Sequence, residues 1–327
     1  MILIISNGTA EPTTDMVIDW LIKQEVKFFR INTDDLYSYN SDNLYSYADN
    51  KLVINGQIID VSTVNVIWYR RWYDYEALPV KPKNQVERQL RHELISEVNN
   101  FLYFLQHLFN GKEWLCNPIA NITHNKLHTL KAAKESGLRV PETIVTNSKN
   151  ELIRFRKKCG EVITKPIADP GIYIDSEGNG FKSYTDVLTD QIIRKLPENF
   201  YLSLFQEKME SEYEIRSFFL DGDIFSTAIL NSETIDIKLS VRTQVDMVMS
   251  SYNLPESIKE KVRLTMKQVG LNTGSFDMIR NKDGEYCFLE VNPVGQFTGY
   301  GQPCNYHLEK RVADWLIKKD NIRSNKA

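Results

Sequence analysis

Two carboxylates and a carboxamide lie close together in the last third of the chain. Asp277 sits in Ser275-Phe276-Asp277-Met278-Ile279, and Glu290 and Asn292 sit in Phe288-Leu289-Glu290-Val291-Asn292-Pro293. If Asp283-Gly284 forms a two-residue turn between these segments, Lys282 faces Glu285, and counting outward sets Asp277 opposite Glu290. Cross-strand partners stand about 4.5–5.5 Å apart, where like charges destabilise a sheet. Glu290 and Asn292, two residues apart, share a face. A turn two residues longer keeps the acids on one face, and only an odd shift separates them. Two carboxylates and an amide oxygen suit a hard divalent cation, and with phosphate oxygens completing the shell that cation is Mg²⁺. The plain alternative is a solvated polar face. The alternation of Phe276, Met278, Leu289 and Val291 on the opposite face favours a packed hairpin with a functional side.

Anionic ligands need cations, and several are placed to serve. Lys165 ends the apolar run Val162-Ile163-Thr164-Lys165-Pro166, where a lysine leaving the core can set a point charge on a phosphate. Lys126 opens a helix whose first N–H groups could receive an anion. Arg216 shares a strand face with Glu214, either as a surface ion pair or as a ligand contact. Lys238 and Arg242 form a further basic spot. No G-x-x-x-x-G-K-[ST] and no G-x-G-x-x-G occurs, so phosphates must be gripped by separated side chains. With only 5 histidines, no convincing Ser-His-Asp or Cys-His arrangement is present.

The elements that must position these groups fall into two grammars. Ile2–Ile5 reads as a buried parallel strand. Thr13 and Thr14 are candidate caps of a helix carrying Met16, Val17, Trp20 and Leu21. Phe28–Ile31 and Val64–Tyr69 read as strands, and Lys51–Ile59 as a hairpin turned at Asn55-Gly56. A long amphipathic helix follows, with Val86, Leu90, Leu94, Val98, Leu102 and Leu105 on one stripe. From Asn117 the pattern changes. A helix from Asn125 stops at Gly137, Pro141 follows, and Val162–Lys165 is a short strand. Strands at Tyr201–Glu207, Glu212–Leu220 and Asp223–Ile229 precede a helix at Glu256–Val269 and the acidic hairpin, Gly274–Arg280 with Glu285–Asn292. This is an α/β first lobe followed by α+β sandwiches.

Composition sets the outer bounds. The 327 residues are 42% hydrophobic and 25% charged, an ordinary globular balance that excludes disorder and collagen-like structure. The net charge of −3 gives no footprint for bulk nucleic acid, and Trp68-Tyr69-Arg70-Arg71-Trp72 reads as a packed or peptide-contacting strand end. No apolar run approaches the ~18–20 residues of a membrane span. Cys116, Cys159, Cys287 and Cys304 are dispersed, which argues against zinc and disulfides and for the cytoplasm.

Taken in order, Asn125-Lys126, Lys165-Pro166, Phe205-Gln206-Glu207-Lys208-Met209, Glu214-Ile215-Arg216, Asp277 and Glu290-Val291-Asn292-Pro293 resemble an ATP-grasp carboxylate ligase, over residues 117 to 300. Glu11-Pro12-Thr13-Thr14-Asp15 and Trp68-Tyr69-Arg70-Arg71 resemble the ATP-grasp peptide maturases that make microviridin-like graspetides, the grasp-with-spasm branch. The resemblance implies an ATP-grasp fold divided into a pre-ATP-grasp domain (1–116), a central subdomain (117–205) and a C-terminal subdomain with the metal (206–327). It implies that Lys126 and Lys165 bind ATP phosphates and that the hinge Gln206, Glu207, Lys208 and Met209 reads the adenine and ribose. Glu214 would lie near the nucleotide, Asp277, Glu290 and Asn292 would hold Mg²⁺, and Arg216 would steady the γ-phosphate. Relatives carry arginine where this chain has Lys238, so Lys238 serves as a point charge or Arg242 replaces it. The loop from Ala168 to Gly180 would cover phosphates. The implied activity is coupling of Asp or Glu side chains of a ribosomal precursor peptide to Thr or Ser hydroxyls (ω-ester) or Lys amines (ω-amide). The precursor's leader would dock outside the active site, with the Glu256–Val269 helix and nearby loops as candidates, and the enzyme would be a homodimer. The competing readings are a general ATP-grasp ligase for amino acids or a protein tail, and a non-catalytic nucleotide-binding scaffold.

Overall fold

A computed structural model describes residues 1–8, 11–37, 44–72, 83–168, 172–174, 180–182, 185–230 and 248–324. They group into two compact units, 1–122 together with 296–327, and 123–295.

The first unit begins with β1 (Ile2–Ser6), α1 (Pro12–Lys23) and β2 (Phe28–Asn32). A small antiparallel sheet follows, β3 (Tyr45–Ala48), β4 (Lys51–Ile54) and β5 (Gln57–Asp60), then β6 (Val66–Tyr69), α2 (Gln85–Leu108), β7 (Glu113–Leu115) and α3 (Pro118–Ile122). β1 lies between β2 and β6 in a parallel sheet ordered β2-β1-β6-β7, and its residues Ile2 to Ile5 are fully buried, as the unbroken apolar run requires. Leu3 and Ile5 join one core with Leu102 and Leu105 of α2 and with Leu52 and Ile59 of the small sheet.

Two expectations are corrected here. Pro12 opens α1, because a first-turn position needs no N–H, so Thr13 and Thr14 lie inside the helix, buried, and neither caps it. In α2 the apolar stripe is covered only toward its C-terminal end. Ile95, Leu102 and Leu105 are buried, whereas Val86, Leu90 and Leu94 are 71%, 53% and 55% exposed.

The second unit runs α4 (Lys126–Glu135), β8 (Thr143–Ser148), α5 (Lys149–Cys159), β9 (Val162–Lys165), β10 (Ile172–Ile174), β11 (Gly180–Lys182), β12 (Asp186–Val187), α6 (Asp190–Lys195) and β13 (Asn199–Glu207). It continues through β14 (Tyr213–Leu220), β15 (Asp223–Leu230), β16 (Val248–Tyr252), α7 (Glu256–Gln268), β17 (Thr273–Arg280) and β18 (Tyr286–Asn292). One antiparallel sheet, β12-β9-β13-β8, packs Val162 and Phe205 against Leu152 and Phe155 of α5 and Ile193 of α6. The other, β16-β15-β14-β17-β18, is antiparallel throughout, and α4 packs on both β18 and α7. Lys238 and Arg242 lie outside the described residues, as does much of the Ala168–Gly180 loop.

The chain closes with α8 (Thr298–Gly301) and α9 (Leu308–Ser324), and α9 packs on α1 and β6. Residues 296–327 therefore group with the first unit. No described helix is long and apolar enough to cross a membrane.

Candidate functional site

The acidic hairpin β17–β18 sets the geometry. Its turn is not the two-residue Asp283-Gly284 expected from sequence. Asn281 N–H donates to the Glu285 carbonyl at 3.0 Å, leaving a three-residue loop, Lys282 to Gly284, with Gly284 at φ +84°. That loop shifts the register by one, so Met278 pairs with Phe288 and Ile279 with Cys287. Left uncorrected, the odd shift would put Leu289 opposite Asp277. A β-bulge between Asp277 and Met278 absorbs Leu289 and restores Asp277 opposite Glu290. The core face changes accordingly. Phe276, Met278, Phe288 and Val291 are at most 3% exposed, the Phe276 and Phe288 rings stack at 6.3 Å, and Leu289 is only partly buried. The expected core position of Leu289 is thus taken by Phe288, because the bulge breaks the two-residue alternation.

On the other face Arg216 of β14 lies directly across from Asp277 and donates through Nη1 to Asp277 Oδ2. Its Nη2 is 4.0 Å from Glu214, two residues away. Lys165, at the end of β9, donates to Glu290 Oε2 at 3.4 Å, and Lys126, at the start of α4, comes to 4.0 Å of the same oxygen. Three carboxylates and three cations from four strands and a helix therefore compensate one another. Burial pushes the Asp277 carboxyl up to about 6, against the pull of Arg216 and with further upward pressure from Glu290 and Glu214. Asn292 stands opposite Ser275, and its carbonyl accepts from Gly295 N–H at 3.1 Å. Gly295, at φ +62°, suits this turn, since an L side chain would be strained at that φ and its Cβ would lie 3.1 Å from Gly274 Cα.

The remaining candidates are less convergent. Asn125 caps α4 by accepting from the N–H groups of Leu127 and His128 at 2.9 and 3.1 Å, so these are not left for an anion as the sequence suggested. Gln206 is buried and donates to Thr143 Oγ1 at 2.9 Å. The N–H groups of Glu207 and Lys208 donate to the carbonyls of Glu142 and Glu161, both at 2.9 Å. Lys208 Nζ is held 2.7 Å from Glu161, and Met209 follows the strand end. The strand pairing that brings Arg216 onto Asp277, and Lys165 onto Glu290, links residues 61 and 125 apart, which no local pattern announces.

The acid pair tests the fit to a divalent cation. Two carboxylates facing each other, one with a raised pKa, carry a repulsion that a bound cation relieves, and the amide of Asn292 lies on the same hairpin. Among the described residues no group of three or more His, Cys, Asp or Glu side chains converges, so the shell would draw on the amide and on ligand oxygens.

Residues 1–122 match the family model described as MvdD pre-ATP grasp domain. The macrocyclase MdnC from Microcystis aeruginosa MRC, solved bound with the precursor peptide MdnA, superposes with a TM-score of 0.79 at 23% identity, over 97% of this chain and 99% of that one. The chain has an ATP-grasp fold. The ATP-grasp ligase PsnB, solved with a minimal precursor, Mg and ADP, gives a TM-score of 0.75 at 17% identity, over 98% and 97% of the two chains. A curated relative, the tetrahydromethanopterin:alpha-L-glutamate ligase of Methanocaldococcus jannaschii, is 26% identical over 204 residues, 60% of this chain, and the match spans 65% of that protein's length. The ATP-grasp fold, with its pre-ATP-grasp domain, is the one the sequence resemblance implied.

Proposed function

We propose that this chain is an ATP-dependent ligase that activates Asp or Glu side-chain carboxylates of a ribosomally made precursor peptide and joins them to Thr or Ser hydroxyls, or to Lys amines, closing macrocycles. The observation that carries this reading is the compensated face, with Asp277 opposite Glu290 and Lys126, Lys165 and Arg216 turned onto those acids. Similarity in fold to ligases solved with precursor peptides supports the choice of substrate.

In the reaction a substrate carboxylate oxygen attacks the γ-phosphorus, the bond to the β–γ bridging oxygen breaks, and ADP leaves. The acceptor oxygen or nitrogen then attacks the acyl carbon, loses its proton and expels inorganic phosphate. Both steps bring like charges together, so positioning and neutralisation supply most of the rate. Lys126 and Lys165 exchange Glu290 for phosphate oxygens. Arg216 exchanges part of its hold on Asp277 for the γ-phosphate. Asp277, Glu290 and Asn292 would hold Mg²⁺, which when bound neutralises phosphate charge. Met209 and the carbonyls of the Gln206–Lys208 stretch would receive the adenine edge, with Glu207 or Lys208 at the ribose and Glu214 near the nucleotide. Lys238 or Arg242 would add a second phosphate-binding cation. A pre-ATP-grasp domain at 1–116 and subdomains that begin at 117 and at 206, a homodimeric state and a cytoplasmic location belong to the same proposal, while residues 296–327 pack with the first unit.

Incubation with Mg·ATP and the peptide encoded beside the gene should remove one water mass per ring, with stoichiometric ADP. Glu290→Gln should lower turnover by about a hundredfold while the far-ultraviolet circular dichroism stays unchanged. An unmodified peptide, with nucleotide demonstrably bound, would sink the macrocyclase assignment. A second reading, ligation of free amino acids, is favoured by the likeness to a glutamate ligase. It would release ADP with amino acids alone and need no leader.

A further inference from the structure

The first unit holds a recess of about 490 Å³ lined by Ser62, Asn65, Lys112, Glu113, Lys319, Ile322 and Arg323. It lies at the N-terminal end of β7, where Glu113 opens the strand, beside the last turns of α9. Three cations line it against one carboxylate. Glu113 Oε1 accepts from Lys319 at 2.9 Å, and its Oε2 is 3.8 Å from Arg323, beyond hydrogen-bond reach. Lys112 Nζ donates to the Ser62 carbonyl at 3.1 Å. An ammonium has three donors and a guanidinium five, so both cations keep donors unused by protein acceptors among the described residues. The neighbouring acids have hydrogen-bond partners of their own, although the Asp60 charge also reaches Lys112. Asp60 accepts from the N–H and hydroxyl of Ser62 at 2.8 and 2.6 Å, and Asp320 accepts from Asn65 at 2.7 Å and from the Met1 amine. Burial and then the nearby Arg323 push the Lys112 amine pKa down, and Asp60 opposes them with a smaller upward pull.

We propose that this recess binds a small multiply charged oxyanion, phosphate or a phosphate-bearing small molecule, held by Lys112 and Arg323. The anion brings the negative charge that Glu113 supplies only in part, and charge-assisted N–H bonds fix its oxygens. Ile322 gives an organic substituent an apolar wall. The site is independent of the nucleotide reading and shares no residue with it.

Calorimetric titration of pyrophosphate into the full chain, in metal-free buffer, tests the assignment. The wild type should show one site whose affinity falls about tenfold or more in Lys112→Met/Arg323→Met, the loss of one to two charge-assisted contacts. Lys165→Met should leave that site intact. Glu113→Gln should tighten binding several-fold by releasing Lys319 and Arg323, a gain that misfolding cannot imitate. Ribose 5-phosphate separates the sources: equal affinity means a bare oxyanion, and tighter binding means an organic phosphate, either outcome supporting the site. Pyrophosphate bound equally by wild type and the double variant, or lost in Lys165→Met instead, overturns it.

Discussion

Asp277 is where the requirements of the fold and of the site conflict. It lies 17% exposed between Arg216 and Glu290, and its carboxyl is raised from 3.8 to about 6 chiefly by burial. Between those two pH values the folded chain binds more protons than the unfolded one, so stability rises as the pH falls from about 6 to about 4. A shift of roughly two pKa units corresponds to about 2–3 kcal/mol over that window. Asp277→Asn should remove this contribution, flattening the pH dependence of urea midpoints relative to the wild type. Parallel profiles for the two proteins would show that the carboxyl is not strained by burial. If Asp277 holds Mg²⁺ as proposed, the same proton would compete with the cation, and metal affinity should weaken below about pH 6. The candidate site residues stand out in sequence because their chemistry is carried by identity and order. The partners they have in the fold were not readable. Arg216, assigned to a phosphate, rests on Asp277, and Lys126 and Lys165 rest on Glu290, because each pairing depends on strands or helices far apart in the chain.

The bulge at Leu289 shows what an element can hide. Alternation along β18 suggested Leu289 for the core, but the three-residue loop and the bulge each shift the register by one, and the two shifts cancel at Glu290. Asp277 and Glu290 therefore face each other as the sequence reading expected, by a different route. The side chains discriminate between the two registers. Phe288→Ala should cost about 3–5 kcal/mol in chemical denaturation, since its ring is fully buried against Phe276, whereas Leu289→Ala should cost under about 1.5 kcal/mol. Equal losses would restore simple alternation. Helix α2 teaches a related lesson. A 3.6-residue stripe identifies the face that can be buried, and Leu102 and Leu105 obey it, but periodicity alone does not say how much of the helix another element covers.

At the scale of the molecule, the return of residues 296–327 to the first unit had no compositional signal in the sequence, since α9 is an ordinary amphipathic helix whose destination depends on α1 and β6. Leu316 is fully buried, so Leu316→Ala should destabilise the first unit by about 2–5 kcal/mol. Hydrogen exchange would then rise in β1 and α1 far more than in β17 and β18, and a uniform rise would contradict the two-unit grouping. The strand and helix order, in contrast, was largely legible, because β1 is unbroken apolar sequence and the hairpin at Asn55-Gly56 carries its own turn residues. The compensated face has a consequence for how the protein meets its solvent. Its acids and cations already act as one another's counterions, so under the proposed function an arriving triphosphate with its metal would trade internal counterions for external ones. Added electrolyte weakens the old pairs and the new ones together, and the two effects offset. Nucleotide affinity should accordingly stay nearly flat as ionic strength rises, where an uncompensated cationic pocket would lose its ligand steadily.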